Sequence, residues 1–77
     1  MATLAELPLG ARARVLRISG EDQISSRLLE MGLTPGASLH LLGAAPLGDP
    51  IELSIRGYRL SVRRSEAARV EIEQATS

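Results

Sequence analysis

Within RLLEMGLTPG, Arg27 to Gly36, the hydrophobic period of the chain changes, and that change constrains the fold more than any other feature. Upstream, Ile24, Leu28 and Met31 recur at spacings of four and three, which marks one face of a helix of about three turns. Downstream, Ser38–Leu42 and Ile51–Ile55 alternate with the period of two that belongs to strands. Gly32 stands one residue past the last periodic position, where helices end on a left-handed residue. Leu33 is then placed to fold back on Leu28 or Leu29. Thr34–Pro35–Gly36–Ala37 has the composition of a type II turn, with proline presetting the first central angle and glycine accepting the positive φ of the second. Gly32, Pro35 and Gly36 therefore read as a structural corner between helix and sheet. A phosphate-cradling loop would need its glycines ahead of a helix start and usually a lysine, and all nine basic residues of this chain are arginine.

The remaining elements are short. Thr3-Leu4-Ala5-Glu6 fits a capping box around one helical turn, which Pro8 stops by pushing Leu7 out of the helical region. Arg14–Ser19 reads as a first strand whose imperfect alternation leaves its inward face open. Ser19 followed by Asp22 signals the start of the helix, with Glu21 and Asp22 where the dipole favours acids. Ala44–Pro50 is a loop, and Arg56-Gly57 a two-residue connection, of open turn type, from Ile51–Ile55 to the strand Tyr58–Val62. Ser65–Ala68 forms one helical turn, Val70–Glu73 a last strand, and Gln74–Ser77 a frayed tail. Five short strands, one helix and two single turns predict a mainly β protein, a small closed or nearly closed barrel in a single domain over residues 1–77.

Composition narrows the function classes. A chain of 77 residues has one small core and a stability margin of a few kcal/mol. With no cysteine and one histidine, neither disulfides nor a closed Cys/His zinc site can staple it. Nine acidic residues balance nine arginines, which argues against a protein built to grip nucleic acid through its phosphates. No apolar run is long enough to span a membrane, and MATLAELPLG lacks the basic segment and apolar stretch of a signal peptide, so the expected location is the cytosol. No catalytic set can be assembled. The single histidine, His40, lies mid-strand between leucines, and Asp49 and Glu52 flank a turn where Asp49 is expected to bond local backbone groups.

The runs RLLEMGLTPG, APLGDPI, IRGYRLSVRR and EAARVEI, in that order and spacing and preceded by LAELPLG, resemble the FeoA family of ferrous-iron transport proteins over roughly residues 4 to 73. Met31 stands where that family often carries leucine, a volume-conserving change. The resemblance implies a five-stranded SH3-like β-barrel with one short α-helix inserted after the first strand. It implies a cytoplasmic accessory recruited to the inner membrane by contact with the cytosolic GTPase region of the Fe(II) transporter FeoB. The same barrel occurs as the C-terminal domain of DtxR-type metal-responsive repressors, but these carry a helix-turn-helix ahead of it for which this chain has no room.

Candidate sites follow from expected exposure. Arg27 and Glu30 on the wet side of the helix, as an i, i+3 pair, with Leu29 at its flank and Leu47 in the loop, are the expected partner-binding residues. No intrinsic cofactor is expected. A divalent transition metal such as Fe or Zn would need three or four ligands, so His40 with Glu52 on the adjoining strand would have to be completed by a second copy. Arg56, Arg59, Arg63 and Arg64 cluster around one hairpin. They are expected to pair with Glu52, Glu71 and Glu73 across the sheet, or alternatively to form a nucleic-acid footprint, for which the stacking aromatics are missing. One tyrosine, Tyr58, cannot line a groove for proline-rich peptides. It is expected as half-buried barrel wall or as a lone contact anchor.

Overall fold

The computed structural model describes residues 2–75. Six antiparallel strands form one sheet: β1 (Ala2–Thr3), β2 (Arg12–Ile18), β3 (Ser38–Ala44), β4 (Ile51–Ile55), β5 (Tyr58–Val62) and β6 (Val70–Gln74). Their order is β1-β6-β2-β3-β4-β5. A 3-10 turn (Leu4–Glu6) follows β1, helix α1 (Gln23–Glu30) joins β2 to β3, and helix α2 (Arg64–Ala67) joins β5 to β6. The two ends of the sheet approach each other, because α2, following β5, packs on the 3-10 turn following β1. Arg64 Nη1 donates to the carbonyl of Ala5 at 3.2 Å across that seam.

The sixth strand is the first correction to the sequence reading. Ala2–Thr3 is too short to show any alternation, and it exists because Ala2 faces Ile72 and Thr3 faces Glu71 on β6. The capping box follows at once, with Thr3 N–H donating to Glu6 Oε1 at 2.8 Å. Two further strands carry an extra residue. A register shift between Val15 and Arg17 explains the broken alternation of β2, whose Ala13 and Val15 point inward and Arg12 and Arg14 outward. A second shift, between Leu41 and Gly43, lets β3 run to Ala44 and leaves Leu42 exposed. The tail is tied further than expected, since Gln74 pairs with Ala13 and Ala75 N–H donates to Arg12 O at 2.9 Å; Thr76 and Ser77 lie outside the described residues.

The helix begins three residues later than its first signal. Its N-cap is Asp22, whose Oδ1 accepts the N–H of Ser25 at 3.1 Å, whereas Ser19 donates to Arg69 O instead. α1 is therefore eight residues long. It ends in a Schellman motif: Leu33 N–H bonds Leu28 O at 3.1 Å and Gly32 N–H bonds Leu29 O at 3.0 Å. Leu28 and Leu33 both enter the core, so the fold-back is onto Leu28, with Leu29 left outside. Ala37 N–H to Thr34 O at 3.0 Å closes the following turn, with Gly36 at φ +89°. The core beneath is aliphatic, Leu4, Val15, Leu41, Ile51, Leu53 and Ile55 among it, and each such side chain contributes roughly 1.5–3 kcal/mol on burial.

Candidate functional site

Helix α1 is fastened by side chains at three levels. At its start, Arg69 Nη1 donates to Asp22 Oδ1 at 2.6 Å, and that bond, with the Ser25 N–H second, holds the Asp22 carboxyl below the usual carboxylate range. In its middle, Arg27 forms an ion pair with Glu66 of α2. At its end, the hydroxyl of Tyr58 donates to Met31 O at 2.5 Å and Arg56 Nη2 to Thr34 Oγ1 at 2.7 Å. The hairpin tip that supplies these groups is Arg56 (φ +52°) and Gly57 (φ +85°), the two left-handed residues of a type I′ turn, which answers the open turn type.

Arg27 is thus not the partner of Glu30. The helical pair expected from spacing is replaced by a contact between two helices, because Glu66 is mostly buried and draws the guanidinium to itself. The loop from Ala45 to Pro50 leans on the same short helix. Arg64 Nε donates to Gly48 O at 2.5 Å, and Arg64 N–H, in the first turn of α2, donates to Asp49 Oδ1 at 3.0 Å. Asp49 therefore caps a distant helix rather than its own turn. A groove of about 310 Å³ runs between loop and helix, lined by Asp49, Pro50, Ser61, Arg63 and Glu66. So α1 and the loop flank α2, and each offers the solvent one large apolar side chain: Leu29 is 41% exposed and Leu47 97%. Of the four expected partner-binding residues, Leu29, Glu30 and Leu47 are exposed on these two flanks, while Arg27 is engaged in fastening them.

The arginine hairpin is divided. Arg56 and Arg64 bond carbonyl and hydroxyl groups of the corner and the loop, and Arg59 and Arg63 make no ion pair among the described residues. Glu71 and Glu73 do not pair with it: Glu71 bonds Arg17 at 3.2 Å and Glu73 bonds Arg14 at 2.6 Å. The reason is strand order, which seats β6 against β2 and four places from β5 when both are counted along the sheet. Tyr58 is 43% exposed and serves as a wall whose hydroxyl caps α1.

His40 lies on the outward face of β3, half-buried, its Nε2 at 3.2 Å from Gly10 O. Its cross-strand neighbours are Arg12 on β2 and Ser54 on β4, whereas Glu52 faces Gly43. Among the described residues no three His, Cys, Asp or Glu side chains converge. Arg12 belongs to β2, two residues ahead of the strand start that the sequence predicts at Arg14. Its signal, the alternation Arg12-Ala13-Arg14-Val15, was present.

The comparisons with known proteins agree with one another. Residues 2–74 match the model of the FeoA domain. Over 74 residues the chain is 38% identical to an Fe(2+) transport protein A/Fe(2+) transporter FeoB fusion protein of Porphyromonas gingivalis, aligning 96% of this chain with only 9% of that relative. The FeoA protein of Chlorobium tepidum superposes with a TM-score of 0.89 at 40% identity, over 97% of this chain and 71% of that one. A FeoA of Stenotrophomonas maltophilia, determined with zinc and described as a prokaryotic SH3 domain protein, superposes with a TM-score of 0.82 at 32% identity, over 95% and 91%. With a match that runs from the first strand to the last, through helix, corner and hairpin alike, the chain belongs to the FeoA family.

Proposed function

We propose that this protein is a cytoplasmic accessory of bacterial ferrous iron uptake that acts by binding the cytosolic GTPase region of FeoB. The observation that carries the reading is the Porphyromonas gingivalis relative, in which a FeoA and a FeoB are one polypeptide: a covalent link is useful only to modules that work at the same place. The role offered is contact. The frame is rigid, the exposed leucines sit on two elements pinned to α2, and the relevant chemistry is apolar side chains with a polar rim, as in transient interfaces.

The test is titration of the purified FeoB GTPase region with this chain, followed by calorimetry. Saturable binding that falls at least tenfold in a Leu29→Asp, Leu47→Asp variant of unchanged melting temperature supports the reading. Absence of binding to that region, with the protein folded, overturns it.

A further inference from the structure

The strand register aligns Arg12, His40, Ser54 and Arg59 in one row across β2, β3, β4 and β5. All four side chains are on the outward face, with both arginines exposed. No carboxylate stands in this row, and among the described residues neither Arg12 nor Arg59 makes an ion pair. The neighbouring row is different in kind, since its Arg14 is already neutralised by Glu73 at 2.6 Å. A shallow depression of about 370 Å³ lies over the row's β2 half, lined by Arg12, Ser38, His40, Ser54 and Arg56.

From these placements we infer that the outward face of β2–β5 is a docking surface for an extended acidic peptide, held by Arg12 and Arg59 at its ends and by His40 and Ser54 between them. Spacing gives the peptide its pattern. Three inter-strand steps separate the two arginine positions by about 14 Å, and an extended chain places its side chains i and i+4 at about 14 Å as well. A peptide crossing the strands with carboxylates at i and i+4 would meet one guanidinium with each, in the planar two-bond geometry that arginine offers and lysine does not. Its middle residue would lie over the Ser54 hydroxyl and the imidazole, whose Nε2 is already committed to Gly10 O. Glu52, two residues along β4 from Ser54, bounds the surface on one side and repels an acidic peptide shifted by a row. Arg12, the cross-strand neighbour of His40, gives that histidine surroundings suited to an anion rather than to a metal cation. A nucleic-acid strand is the weaker occupant, because the row holds no aromatic side chain for a base to stack on and the whole chain is electrically neutral. A second copy of this chain would bring the same cations to the contact.

This surface is separate from the α1–α2 flank and is tested without FeoB. The probe is a short fluorescein-labelled peptide of serine, threonine and valine with glutamates at i and i+4, followed by fluorescence polarisation at low salt. The inference expects saturable binding that weakens about tenfold for Arg12→Gln and again for Arg59→Gln, with melting temperatures unchanged because both side chains are exposed. It also expects weaker binding of a peptide whose glutamates are adjacent. Equal binding by the glutamine version of the peptide, no effect of the double variant, or tighter binding of a single-stranded RNA oligonucleotide through the same arginines would overturn it.

Discussion

Two bends in this chain are built from the same materials and end in opposite states. The corner Gly32–Ala37 and the loop Ala45–Pro50 each contain a leucine, a proline and a glycine in left-handed conformation. Each is pinned by an arginine from elsewhere in the chain: Arg56 of the β4–β5 turn bonds Thr34, and Arg64 of α2 bonds Gly48. Yet Leu33 of the corner is 0% exposed and Leu47 of the loop 97%. The difference comes from the Schellman end, which turns Leu33 back onto Leu28 beneath the helix, while the loop has no helix end to turn its leucine inward. An apolar residue in a bend is a structural part when the backbone directs it home. When the backbone is pinned and the side chain is still left outside, it is available for something else.

The largest effect is expected at the buried member. Leu33→Ala removes a fully buried side chain from the core it shares with Leu28 and the sheet's interior, at a cost of about 2–5 kcal/mol. For a domain with so small a margin, urea denaturation should find much of the variant unfolded near room temperature; a shift below 1 kcal/mol would show that the corner is not part of the core. Gly32→Ala comes next. At φ +107° a Cβ is strained, and built there it would lie 2.3 Å from the Tyr58 hydroxyl, forcing that group from Met31 O. The two losses sum to about 2–3 kcal/mol. Tyr58→Phe alone forfeits the hydrogen bond, about 1 kcal/mol, but it also removes the obstructing oxygen. The double variant should therefore be more stable than the sum of the singles by about 1 kcal/mol, and strict additivity in a denaturation cycle would exclude the close contact.

The same pair of bends shows what could be read from residue order and what could not. Local chemistry was legible: the Schellman glycine, the Pro35-Gly36 turn, the clean alternation of Ile51–Ile55 and the strand Tyr58–Val62 all sit where the pattern puts them. Partnerships across the fold were not. Ser19 and Asp22 are both good caps, and the choice between them is made by Arg69, 47 residues away from Asp22, which binds the aspartate side chain and draws Ser19 to its own carbonyl. The glutamates of β6 pair with Arg14 and Arg17 of β2 and not with the hairpin arginines, because pairing depends on strand order, which a list of strands does not contain. For the site, the exposure of Leu29 and Leu47 followed from periodicity and loop position. That both flank α2 required Arg27, Glu66, Arg64 and Asp49 to be seen together.

A smaller effect separates the charge in the Asp22 clamp from its capping. The folded-state carboxyl titrates below its ordinary range, first because of Arg69 and then because of the Ser25 N–H. A depressed acid contributes stability that is present above the unfolded pKa, near 3.8, and is lost as pH falls through the lower folded value. Asp22→Asn keeps a good cap residue and deletes only the charge. Thermal melts of the two proteins should differ slightly at neutral pH and converge in the acid range; a constant difference down to the lowest pH at which both fold would remove Arg69–Asp22 from the account.

The smallest effect on stability is expected at Leu47, and it is the one that gives the comparison its meaning. Leu47→Ser takes nothing out of the core, so its cost should stay within about 0.5 kcal/mol, with the pins from Arg64 to Gly48 and Asp49 intact. If the loop were merely a connection, replacing its leucine with serine should be indifferent to every other property. If the leucine is held out for a partner, the same variant should bind the FeoB GTPase region about tenfold more weakly while melting like the parent. An unfolding midpoint that falls by as much as the Leu33→Ala variant's would instead mean that Leu47 is covered by its own chain in solution, and the contrast between the two bends would disappear.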